Sequence, residues 1–271
     1  MTILTGIICT DGIVVAADSQ LTNSHYGNVF FVDKISVVDF AADQVLIAQA
    51  GHAAITNRVV EIVRQQSVGV TIKSPLTVFQ TIENSIREAK SHFDEDQKAA
   101  AEQCGGAELM LAFYADGKPV LRTVYIYGVG TANTSTGDYA TAGAGEQLAN
   151  YLFSEFCEPK LGAGNAIATS IYTIKKVKEF QKAWCGGDTK VKIMAPVSQS
   201  INWGNRCIGR VQEVSQDFVN LTEKELSALD ETAKTERNGK ILSILKTIGL
   251  RVAKNRQKQI ESEATPSQQT T

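Results

Sequence analysis

Strand-like and helix-like segments are segregated into blocks along this chain instead of alternating one by one. The apolar runs Leu4–Cys9 and Ile13–Ala17 flank Thr10-Asp11-Gly12 and read as a β-hairpin. Val29–Phe31 and Ile35–Phe40 read as a second strand pair, and Gln44–Ala50 as a buried strand ended by Gly51. Two helical segments follow. Ile55, Val59, Ile62 and Val63 share one helical face, and Ser74-Pro75 opens a long amphipathic helix to about Phe93. A second block repeats the order: strands at Glu108–Tyr114, Val120–Tyr127 and Tyr139–Ala142, the turn Gly143-Ala144-Gly145, helices at Glu146–Phe156 and Asn165–Phe180, then a strand at Val191–Met194. Blocks of this kind predict a layered α+β architecture and argue against a parallel sheet built from βαβ units.

The pattern weakens beyond Ala195. Cys207–Val214 reads as a last strand, Thr222-Glu223-Lys224-Glu225 as a capping box that starts a helix, and Lys240–Lys254 as an amphipathic segment after a break at Asn238-Gly239. Glu261–Thr271 has the composition of a disordered tail. The expected division is a domain over 2–220, a C-terminal helical extension over 221–260 and a tail over 261–271.

Composition narrows the function classes. The net charge of −2 gives no basic field to recruit nucleic acid or an anionic membrane surface. No apolar run approaches the roughly 20 residues that span a bilayer, and no basic segment followed by an apolar stretch marks a secretory signal, so a cytoplasmic location is expected. The cysteines (Cys9, Cys104, Cys157, Cys185, Cys207) are scattered without a CxxC pair and read as reduced thiols. His25, His52 and His92 show no ligand spacing, so neither a metal nor another cofactor is expected.

Chemistry concentrates at the start of the chain. If Met1 is removed, Thr2 carries a hydroxyl and a free α-amine on one residue, a nucleophile with its own general base. An α-amine titrates near pH 8, about two units below a lysine. Asp18 and Lys34 follow at spacings that adjacent strands can fold back onto Thr2. Each has a plain structural alternative: an aspartate at a strand end is usually a turn cap, and a lysine before an apolar strand is usually a solvated edge residue.

Taken together, Thr2, Gly6, Asp11-Gly12, Ala16-Ala17-Asp18-Ser19 and Lys34-Ile35 resemble the start of a proteasome β-type subunit, one of the N-terminal nucleophile (Ntn) hydrolases. The resemblance covers about residues 2–195 and implies a four-layer αββα sandwich. It also implies catalysis by Thr2, with Lys34 holding down the amine pKa and favouring the alkoxide-like transition state, and with Asp18 keeping Lys34 charged and oriented. Gly143-Ala144-Gly145 resembles the family's Gly-Ser-Gly turn beside the nucleophile, with Ala144 where a serine is usual. Lys182-Ala183-Trp184-Cys185-Gly186 resembles the family's Asp-x-x-Ser-Gly segment, with Lys182 and Cys185 at substituted amine-site positions. Ala50 and Gly51 fall at the end of the family's substrate-binding strand, and Gln20, Thr22 and Gln49 give an uncharged lining with no clear selectivity.

The expected function is a threonine-type peptidase or amidohydrolase acting on protein or peptide substrates through a Thr2 acyl-enzyme. The resemblance also implies self-assembly into a ring or helical homo-oligomer and admits an AAA-type ATPase unfoldase as a partner, with no nucleic acid and no membrane. The substitutions at 144 and 182 keep a second reading open, a catalytically silent structural subunit, and a non-peptide amidase using the same chemistry is a third.

Overall fold

The computed structural model describes residues 2–22, 29–93, 99, 106–126, 138–158, 160–196, 209–233, 243–251 and 254. The polar stretch at 128–137, the break at 238–239 and the tail at 261–271 lie outside these residues.

The first hairpin forms as the sequence predicts. Strands β1 (Ile3–Cys9) and β2 (Gly12–Asp18) pair antiparallel, with Leu4 opposite Ala17 and Cys9 opposite Gly12. On its other side β1 pairs with β9 (Tyr139–Gly143). β2 pairs with β10 (Thr189–Pro196), which carries β11 (Gly209–Glu213) at the edge. This five-stranded sheet has the order β11-β10-β2-β1-β9. A four-stranded antiparallel sheet is built from β5 (Ile35–Phe40), β6 (Asp43–Gly51), β7 (Ala107–Ala115) and β8 (Lys118–Tyr125), each paired with the next.

Alternation of side chains places these sheets face to face. Ile13, Val15 and Ala17 of β2 point into a core shared with Leu46, Ala48 and Ala50 of β6 and Met110 and Ala112 of β7. The intervening Val14 and Ala16 point the other way, onto α3 (Glu146–Phe156) and α4 (Ala163–Phe180). In the other sheet Val45, Ile47, Leu109, Leu111 and Phe113 face α1 (Ala53–Gln66) and α2 (Pro75–Ser91). Three cores therefore separate four layers, α, β, β and α, as an Ntn-type α+β fold requires. Antiparallel strands usually alternate apolar and polar residues; here both faces are buried, so the central strands read as continuous apolar runs.

Two expectations are corrected. β4 (Val29–Phe31) does not pair with β5. It returns on β3 (Gln20–Thr22), with Gln20 opposite Phe31, as a separate two-stranded ribbon. Ile35 instead opposes Ala48 of β6, because the inward face of β5 continues the sheet–sheet core. Helix α5 begins at Gln216 and runs to Ala233, so Thr222 is an interior residue and not its cap. Thr222 is buried, and its hydroxyl donates back to the Phe218 carbonyl one turn earlier. The helix start is marked instead by Ser215, whose Oγ accepts the Phe218 N–H. Residues 243–251 are also helical. No helix among the described residues is long and apolar enough to cross a membrane.

Candidate active site

The ends of β1, β2 and β5 meet at one point between the two sheets. Thr2 precedes β1, Asp18 ends β2 and Lys34 precedes β5; their exposures are 3%, 0% and 5%. A cation and an anion so far from water require close pairing. Lys34 Nζ donates to Thr2 Oγ1 at 2.6 Å, to Asp18 Oδ1 at 2.9 Å and to the Gln20 carbonyl at 2.5 Å. These partners use all three ammonium protons. Asp18 is equally engaged: Oδ1 also accepts the Ile3 N–H at 3.0 Å, and Oδ2 accepts the Gly186 N–H at 3.1 Å. Asp18 is thus tied to the residue after Thr2, to Lys34 and to the 181–188 loop.

Electrostatics favour a lysine that gives up charge more readily than usual. Burial pushes the Lys34 pKa down, Asp18 opposes that shift, and Lys178 adds to the lowering. Cys185, fully enclosed next to this pair, moves the other way. Burial and then the Asp18 charge push its thiol up to about 12, against the opposing pull of Lys34. It is a neutral thiol, a weak donor and not a thiolate nucleophile. Cys9 and Cys157 take part in no disulfide among the described residues, and Cys9 Sγ donates to the Gly12 carbonyl at 3.0 Å.

The glycine turn lies directly against Thr2. The Ala144 N–H donates to the Thr2 carbonyl at 2.9 Å, and the Gly143 N–H donates to Glu108 Oε2 at 2.8 Å. Gly143 has φ +92°, and a Cβ there would stand 2.2 Å from the Thr2 carbonyl oxygen and 3.4 Å from Ala50 Cβ. Only glycine fits both the backbone angle and the gap. Gly145 caps α3 against Ile3 and Val177. Ala50 therefore sits at the turn, whereas Gly51, at φ +84°, packs on the Gly106 backbone one step further out. Glu108, next to Ala50 across the β6–β7 ladder, has its pKa raised by burial, with the Gly143 hydrogen bond opposing.

Two substituted positions part company. Cys185 stays at the site, whereas Lys182 is exposed and lines a surface cleft between α4 and α5 with Lys178 and Glu223. Lys182 is absent from the charges that act on Lys34; the lysine that acts on it, weakly, is Lys178. Its Nζ donates to Thr189 Oγ1 at 2.6 Å and pairs with Glu223 at 3.2 Å, and Thr189 lies opposite Asp18 in the β2–β10 register. No motif around Lys178 signals this, because its influence on Lys34 arises only from the packing of α4 on β2 and β10. The carbonyl of Gln20 carries no sequence signal either, since any residue type could supply it.

This arrangement places a hydroxyl at a buried cation and beside a backbone turn rich in N–H groups, a setting suited to acyl transfer. The sequence profile of the family described as "Proteasome subunit" matches residues 2–193. No curated protein matches the chain. Among solved structures, an Anbu (Gly-1) mutant from Hyphomicrobium sp. strain MC1 superposes with TM-score 0.66 at 16% identity, covering 87% of this chain and 98% of the other. Anbu from Yersinia bercovieri, described as an ancestral beta-subunit, gives 0.66 at 13% identity over 88% and 98%. The helical assembly of the Anbu complex from Pseudomonas aeruginosa gives 0.68 at 13% identity over 87% and 97%. At these identities the likeness concerns the fold.

Proposed function

The chain belongs to the proteasome subunit family, and from that premise we propose that it is a threonine-type Ntn peptidase of a self-assembling complex. The observation that carries this reading is the buried contact of Lys34 with Thr2 Oγ1, backed by Asp18. Once Met1 is removed, the α-amine of Thr2 takes the hydroxyl proton while Oγ attacks the amide carbonyl. The Oγ–C bond forms, the C–N bond breaks, and the amine passes the proton to the leaving nitrogen. Water then hydrolyses the ester by the reverse proton path. Lys34 stabilises the alkoxide-like oxygen throughout and, as a neighbouring cation, keeps the amine unprotonated near neutral pH. Asp18 maintains the charge and aim of Lys34. The 143–145 turn, with Ala50 beside it, borders the space that the acyl group occupies.

The proposal extends to a cytoplasmic ring or helical homo-oligomer acting on protein or peptide substrates, with an AAA-type ATPase unfoldase as partner. The helical Anbu assembly from Pseudomonas aeruginosa supports the self-assembly part. Two observations favour a second reading, a silent structural subunit: Ala144 brings no hydroxyl to the amine, and Lys182 lies outside the site.

A peptide epoxyketone followed by mass spectrometry separates the two. The active reading expects loss of Met1, one adduct on Thr2, and no adduct and at least ~10³-fold slower peptide turnover in Thr2→Ala. Retained Met1 with no adduct supports the silent subunit.

A further inference from the structure

We infer that Lys192 and Asp33 form a positioning clamp that fixes the backbone on both sides of Lys34, resting on the peptidase reading above. Lys192 is on β10, where Val191 and Ile193 face the α4 layer, so alternation turns Lys192 inward between the two sheets beside Met194. An apolar residue is the ordinary occupant of such a position. Lys192 is nonetheless 8% exposed, and its ammonium crosses from the five-stranded sheet to the first residues of the four-stranded one.

There it meets the two residues that bracket Lys34. Lys192 Nζ donates to Asp33 Oδ2 at 2.7 Å and to the Ile35 carbonyl at 2.6 Å. The other Asp33 oxygen accepts the Ile35 N–H at 2.9 Å. Side chain and backbone of 33 and 35 thus close into one hydrogen-bonded ring around the residue between them. In that ring the Ile35 peptide groups are held from both ends. A second tie, the Gln49 N–H to the Lys34 carbonyl at 3.0 Å, holds the same segment to β6.

The clamp answers a geometric demand. Lys34 has a long flexible side chain, yet its ammonium must reach Thr2, Asp18 and the Gln20 carbonyl at once. Productive geometry tolerates displacements of only about 0.5 Å, and a misplacement of about 1 Å costs on the order of 100-fold in rate. Fixing the Cα of Lys34 from a neighbouring sheet removes the backbone part of such drift, while Thr2, Asp18 and the Gln20 carbonyl hold the side chain. A buried ammonium used merely to join two sheets would be an expensive substitute for a hydrophobic residue. Its placement on both neighbours of Lys34 gives it a task that a hydrophobic residue cannot perform.

The test uses the full-length protein, the epoxyketone adduct on Thr2 as a rate readout, and the variants Lys192→Met, Lys192→Arg, Asp33→Asn and the double Lys192→Met/Asp33→Asn. Met preserves the packing volume, and Asp33 is 45% exposed, so folding survives in at least the aspartate variant. The clamp predicts a maximal adduct-formation rate lowered at least ~10-fold in Lys192→Met with half-saturation by probe changed less than about threefold. It also predicts partial rescue by arginine and a double variant no slower than the worse single one. Wild-type labelling with unchanged maximal rates in the variants, or strictly additive losses, overturns the clamp alone. No adduct on wild-type Thr2 overturns the peptidase reading and the clamp with it.

Discussion

At the scale of single residues the site is governed by a buried ammonium with no spare protons. Removing one partner of such a pair costs more than the pair contributes, because the remaining charge stays out of water; the usual loss is about 3–5 kcal/mol. Asp18→Asn is therefore expected to destabilise the protein by about that amount near pH 7. Its pH dependence has a definite sign. Burial already lowers the Lys34 pKa below its ordinary value, and Asp18 is the main opposing influence. Without the Asp18 charge the pKa falls further. Between that lowered value and the ordinary lysine value the unfolded chain binds more protons than the folded one, so folding stability rises with pH. The deficit of Asp18→Asn relative to wild type is thus largest at neutral pH and shrinks towards pH 10. Thermal melts of both proteins between pH 7 and 10 measure it, and a deficit that grows with pH would contradict a charged Lys34 at neutral pH.

At the scale of elements, α5 is fastened to the layer behind the site by polar contacts. Glu223 accepts from Lys178 at 3.2 Å and from the buried Thr189 hydroxyl, while Asp230 takes Lys175 and Lys176, each at 2.6 Å. Glu223→Ala leaves a fully buried hydroxyl and a lysine short of an acceptor, an expected cost of about 1–3 kcal/mol. That amounts to a fall of roughly 2–4 °C in melting temperature per kcal/mol for a chain of this size. Because Thr189 stands opposite Asp18, the same variant is also expected to slow Thr2 labelling; calorimetry and the adduct rate read the two effects separately. What sequence reveals divides at this level. The β1–β2 hairpin, the two helix pairs and the layered α+β class are local or periodic signals, whereas the four-layer order is legible only through the family resemblance; Thr2, Asp18 and Lys34 meet because that hairpin and the turn into β5 bring them together. The β3–β4 ribbon was hidden since a three-residue apolar run carries no register information of its own. Thr222 misled because a capping box inside a helix has the same residues as one at its start; tertiary burial, not propensity, decides between them. Lys178 and Lys192 were illegible since both act across layers, from strands and helices more than 140 positions away from Lys34.

At the scale of the whole molecule, one surface is poorly suited to a lone chain. Val29, Phe30, Phe31 and Val32 are consecutive and 46%, 51%, 67% and 38% exposed. Val29–Phe31 form one strand of the β3–β4 ribbon and Val32 follows it, an edge that belongs to neither sheet of the sandwich. A continuous apolar edge of this kind favours association. Its connection to the chemistry is short, since Phe31 opposes Gln20, whose carbonyl holds the Lys34 ammonium. If a second copy covers the ribbon, assembly and the aim of Lys34 are coupled, and each stabilises the other. Phe31→Asp puts a charge on the edge without touching Thr2, Asp18 or Lys34. Light scattering is expected to show wild type at multiples of the 29.3 kDa chain and Phe31→Asp shifted to smaller species, with Thr2 labelling slowed in the same fractions. Thr2→Ala keeps the wild-type size, because Thr2 is enclosed within the chain's own layers. A wild-type protein found only at 29.3 kDa would end the assembly reading, and an assembled Phe31→Asp variant with wild-type size would move the interface away from this ribbon.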